Sequence, residues 1–175
     1  MAGIDFAAAL ARLLTDRDLR ARAAVDPGQL ARELQLSKED EAILCGIEPV
    51  ALERQAKALV AKRRSEVSRI VPHTWRLLDA NGPRLFDEYS AHHWPTGHLR
   101  HAEDALMFLR FLAGRGQSFD EIERLRIETR LSGRRRRIKL VLSGGFLGTP
   151  VLYCSWMTPR GWQERLVHFG PSRRP

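Results

Sequence analysis

Cysteine is scarce: this 175-residue chain has two, Cys45 and Cys154, too few for a disulfide framework and too far apart for a zinc-type pair. Reduced thiols and a cytoplasmic setting are the expectation. No apolar run approaches the roughly 20 residues that a membrane-crossing helix needs. The opening "MAGIDFAAALARLL" is apolar only at helical spacing, with Asp5 and Arg12 interrupting it and no basic n-region, so it does not read as a signal peptide. A Gly-x-Ser-x-Gly elbow is missing. "GGFLG" at 144–148 has the glycines of a phosphate loop without its lysine and reads as hairpin glycines. Neither cysteine has a histidine beside it in sequence. Cys154 reads as a small core residue of a strand and Cys45 as the end of a helix. An enzyme of any of these classes is therefore not expected.

Acid is scarce in one region only. Residues 1–112 carry 16 Lys+Arg and 16 Asp+Glu, whereas residues 113–175 carry 13 and 5, so the whole net charge of +8 lies in the last third. From Arg130 onward Glu164 is the single acid. That asymmetry points to an anionic partner for the C-terminal part: nucleic acid, an acidic peptide or an acidic protein face.

What the chain does have is two hydrophobic periods. Up to about residue 130 the period is helical. "DFAAALARLL" aligns Phe6, Leu10, Leu13 and Leu14; Pro27 opens the next helix; and Ser37 with Asp40 resembles a capping box. Pro49 begins the longest helix, with "KRR" at 62–64 on its wet side, and Pro72 ends it. The segment from Leu99 to Ala113 is apolar on two faces and reads as a buried central helix, with Leu106, Leu109 and the earlier Trp75 in the core. Ser118 with Glu121 suggests one more helix start. Beyond it the period drops to two: "RIKLVLSGG", "PVLYCSWM" and "WQERLVHFG" are three antiparallel strands separated by glycines and by "TPRG" at 158–161. The expected fold is α+β, a helical domain over 1–130 with a basic β appendage of about three strands over 131–175 packed on it.

Two features are candidate sites. "HHWPTGHLRH" at 92–101 holds four of the six histidines. His98 and His101 share a helix face if Thr96 is the N-cap, but His92 or His93 must fold back across Pro95, and Glu103 and Asp104 lie on other faces. A zinc site needs three or four converging ligands, which this spacing does not supply, so a loop around Trp94 is the better reading and no cofactor is expected in this chain. The other feature is "GRRRR", with Arg134, Arg135, Arg136, Arg137 and the nearby Lys139. Guanidinium forks suit carboxylate and phosphate, and Tyr153, Trp156 and Trp162 offer stacking surfaces. Open sheet edges accept an extended peptide as an added strand, which makes these eight residues peptide- or partner-binding candidates. A DNA-binding regulatory role for the basic region is the alternative.

Four stretches carry a resemblance: "LTDRDLRARAAVDPGQLARELQLS" (14–37), "LVAKRRSEVSRIVPHTWRLL" (59–78), "LFDEYS" (85–90) and "HAEDALMFLRFL" (101–112). Over roughly residues 5–112 the chain resembles accessory proteins of the HvfC/BufC type. The resemblance implies a non-catalytic partner of a multinuclear non-haem iron oxidative enzyme, acting in the maturation of a ribosomally made, cysteine-containing precursor peptide. Iron would then belong to the partner enzyme, and nucleic acid and membrane would not be partners.

Overall fold

The structure is a computed structural model that describes residues 4–97, 99–133, 136–141 and 151–168. Among these, nine helices precede a sheet of three strands. The protein is mainly helical with a small C-terminal antiparallel sheet.

The chain forms two compact units, Met1–Ser65 with Ser90–Trp94, and Glu66–Tyr89 with Pro95–Pro175. The division falls inside one helix.

The first unit contains α1 (Phe6–Thr15), α2 (Arg17–Val25), α3 (Pro27–Glu33), α4 (Lys38–Cys45) and the start of α5 (Pro49–Ile70). Short polar residues set each start. Asp5 accepts from the Ala8 amide at 2.7 Å, Asp16 from Asp18 at 2.9 Å, Asp26 from Gln29 at 2.8 Å and Ser37 from Asp40 at 3.1 Å, each satisfying a donor that the first helical turn cannot. The apolar faces converge on Leu13, Leu19, Leu30, Leu44 and Leu52, with Phe6, Leu10 and Leu34 around them. Arg20 closes the C-terminal end of α1 by donating to the carbonyls of Leu13 and Leu14, and it pairs with Glu53 at 2.9 Å. Arg63 corrects the expectation of a wet "KRR" face. It is 7% exposed, donates to the His93 carbonyl at 2.9 Å and lies 4.4 Å from the centre of the Trp94 ring. Burying a guanidinium is tolerable because the carbonyl and the ring face replace water.

The second unit contains α6 (Pro72–Leu78), α7 (Asn81–Ser90), α8 (Arg100–Gly114), α9 (Glu121–Leu131) and the strands β1 (Arg136–Val141), β2 (Val151–Thr158) and β3 (Gly161–His168). Its core is aromatic: Phe86 and Phe108 meet edge to face at 5.3 Å, and Trp75, Tyr89 and Phe111 pack around them. Leu106 and Leu109 are buried as expected, whereas Trp75 is half-buried. Gly82 admits that indole, since a Cβ there would stand 3.3 Å from Trp75 Cε2. Asp104 is fully buried and is satisfied by the Tyr89 hydroxyl, which donates to its Oδ1 at 2.7 Å.

Two helix starts differ from the sequence expectation. Helix α8 begins at Arg100 with no side-chain cap, because Gly97 at φ 91° breaks the helical path that Thr96 would have opened. Helix α9 is capped by Asp120 and not by Ser118: the Thr74 hydroxyl accepts from the Asp120 amide at 2.9 Å and holds that residue at the cap. Helix α6 has no side-chain cap of its own, and Glu123 of α9 supplies one from 50 residues away, accepting from His73 N at 2.7 Å and Thr74 N at 2.9 Å.

The strands run in the order β1-β2-β3, both pairs antiparallel. Thr158 and Gly161 close the second hairpin, where the φ of 110° at Gly161 is one that a side chain would strain. The sheet packs on α9 through Tyr153 and Leu166 against Leu125 and Ile122.

Candidate functional site

In the second unit α9 and the sheet border a cleft of about 400 Å³. Arg126 and Arg130 line it from α9, Arg69 and His73 from the end of α5 and the start of α6. The sheet contributes Tyr153 and Ser155 from β2, and Trp162 and Glu164 from β3. Strand alternation explains the set. Tyr153 pairs with Leu166, Ser155 with Glu164 and Met157 with Trp162, so residues of one parity face α9.

The charges in this cleft are partly spent. Arg126 donates from Nε to Glu164 Oε2 at 2.8 Å and from Nη2 to Glu164 Oε1. The hydrogen bond to that carboxylate holds the Arg126 guanidinium above its ordinary value, against the opposing effect of burial. Glu123 is committed to the amides of α6. Ser155 is different. It is 4% exposed, and its Oγ has no hydrogen-bond partner among the described residues.

The sequence-based candidates with described side chains fall on both faces of the sheet. Tyr153 is buried and Trp162 half-buried, both at the cleft, while Trp156 has the other strand parity and lies on the opposite face. Arg136, Arg137 and Lys139 lie in β1 opposite Trp156, Ser155 and Tyr153. Arg134 and Arg135 fall outside the described residues, as do Leu142 and the glycines at 144–148. Ile138, grouped with Leu140 and Leu142 on one apolar face, is 75% exposed, because the parity that meets α9 is the other one. Cys154 shares the register position of Ile138 and is half-buried, not a core residue, and Cys45 is exposed. The cleft residues Arg69, Arg126, Ser155 and Glu164 gave no sequence signal, since each looks like an ordinary surface residue of its element.

Three of the four histidines at 92–101 are described. His92 and His93 are exposed, His101 lies in the first turn of α8, and His98 is outside the described residues. Among the described residues no three His, Cys, Asp or Glu side chains are grouped as metal ligands are. None of the described helices is long and apolar enough to cross a membrane.

Residues 45–114 match the family described as SCO6045-like, C-terminal domain. The matched stretch takes in α5 to α8 and stops before α9 and the sheet. Neither a curated protein nor a solved structure matches the chain.

Proposed function

We propose that this protein is a non-catalytic accessory protein that binds a multinuclear non-haem iron oxidative enzyme and presents to it a cysteine-containing precursor peptide, working in the cytoplasm. The observation that carries the reading is the sheet itself. Strands β1 and β3 each have one ladder partner in the sheet, and a cleft rich in arginine lies beside β3. An extended peptide gains main-chain hydrogen bonds by pairing with such an edge, and neighbouring side chains set its register. The resemblance of residues 5–112 to HvfC/BufC-type proteins supplies the enzyme partner, and iron is assigned to that enzyme. The excess of basic charge in the last third favours an acidic leader and draws it in at long range.

Fluorescence anisotropy tests this with a labelled precursor from a cysteine-containing reading frame beside the gene, and with labelled random duplex and single-stranded DNA, each at 0.1 M and 1 M salt. The expected result is precursor binding in the micromolar range or tighter that weakens several-fold as the Debye length falls from about 10 Å to about 3 Å. Tight DNA binding with a steep log-log salt slope, and no response to the precursor, would replace this reading with the nucleic-acid one.

A further inference from the structure

We infer that the cleft beside β3 is a carboxylate-recognition pocket: it takes one aspartate or glutamate side chain of the bound peptide, with a neighbouring apolar side chain of that peptide against Trp162. The inference rests on the peptide-binding reading and adds the residue class that the site selects.

Ser155 is the first observation. A buried hydroxyl without a hydrogen bond is unfavourable, and alanine would fill the same position on the strand without that cost. Ser155 is among the residues that line a cleft bordered by guanidinium groups, so a ligand oxygen seated there can complete its buried Oγ. The second observation is the state of those guanidinium groups. Glu164 occupies the Nε and Nη2 side of Arg126 and leaves the Nη1 side without a hydrogen bond among the described residues. Arg130, one turn further along α9, is exposed and has no ion pair among the described residues. The lining residues therefore offer one hydroxyl and two guanidinium groups as donors, a set that a two-oxygen acceptor can satisfy.

Charge selects a carboxylate over a phosphate. Glu66 pairs with Arg69 at 3.1 Å, Glu164 pairs with Arg126, and Glu123 accepts from the α6 amides, which leaves Arg130 as the lining arginine without an acidic partner among the described residues. A monoanion neutralises it, whereas a phosphate dianion would overfill it. The half-buried Trp162 gives the cleft an apolar wall, which an isolated small anion would leave uncovered.

The test uses the full chain and two fluorescein-labelled ten-residue peptides, one alternating glutamate with leucine and the other alternating glutamine with leucine. Binding of each is measured to wild type, Ser155→Ala and Arg130→Gln, and thermal unfolding of each variant is followed in parallel. We expect the glutamine peptide to bind roughly tenfold more weakly, and each variant to lose about three- to tenfold in affinity for the glutamate peptide alone. Ser155→Ala should melt no lower than wild type, which separates lost recognition from lost folding. Acetate at high concentration should compete, and inorganic phosphate should compete no better at equal ionic strength. Equal binding of the two peptides, variants within twofold of wild type, or stronger competition by phosphate would each overturn the pocket while leaving precursor capture intact. If neither these peptides nor the precursor binds, the pocket and the peptide-binding reading fall together.

Discussion

Removing the Glu123 carboxylate tests the central long-range tie of the second unit. This side chain is 2% exposed and accepts from two main-chain amides, His73 N at 2.7 Å and Thr74 N at 2.9 Å. Those amides belong to the first turn of α6, whose own cap residue, Val71, supplies no side-chain acceptor. Pro72 has no N–H to satisfy, and the Trp75 amide already donates to the Val71 carbonyl at 2.9 Å, so Glu123 completes the set. A hydrogen bond to a charged group contributes about 1.5–3 kcal/mol, and a buried donor left unpaired costs about 1–3 kcal/mol. His73 is exposed, so water can replace one bond after Glu123→Ala. Thr74 is 0% exposed, and its amide has no such recourse. We expect Glu123→Ala to cost about 3 kcal/mol, and Glu123→Gln, which keeps one acceptor oxygen, about 1–2 kcal/mol. The assay is urea unfolding followed by far-ultraviolet circular dichroism, with a lower midpoint at unchanged slope. Amide hydrogen exchange should quicken first at Thr74. A loss below about 0.5 kcal/mol for the alanine variant, with exchange at Thr74 unchanged, would refute the idea that α9 holds α6 in place.

Three further outcomes follow from the packing. Leu109→Ala, at a 0% exposed position of α8, should cost roughly 2–5 kcal/mol in the same unfolding assay, and a variant as stable as wild type would place the core elsewhere. Arg63→Ala should cost about 1–2 kcal/mol and move tryptophan emission to longer wavelength, because Trp94 loses the guanidinium above its ring; unchanged emission would contradict the contact. Glu33 should titrate below the ordinary glutamate value, chiefly because Arg22 donates to its carboxylate. Its small stabilising effect is present above the unfolded-state value and lost as pH falls through the folded one. An NMR titration of its side-chain carboxyl carbon checks this, and Arg22→Ala should return the midpoint to normal.

Part of the first unit was legible residue by residue: Pro27 and Ser37 as helix starts, and apolar faces that repeat at helical spacing. Asp5 and Asp26, which cap α1 and α3, were not singled out. The period-two strands and the turn at 158–161 were legible because alternation and turn chemistry act over two to four residues. The helix starts at Arg100 and Glu121 were not. One depends on the φ of Gly97, the other on Thr74, which is 46 residues away from Asp120.

By itself, the sequence determined that this chain is mainly helical with a small basic sheet at its end, because hydrophobic period, caps and charge are properties of near neighbours. Tertiary structure alone decided where the chain divides, that Arg63 is buried, and that β2 turns Tyr153 and Ser155 toward α9 while Ile138 of β1 faces solvent. A strand's alternation states that its two faces differ but not which of them meets a helix. That choice depends on Leu125 and Ile122 of α9 packing against Tyr153 and Leu166, and it also puts Ser155 and Trp162 beside Arg126 and Arg130.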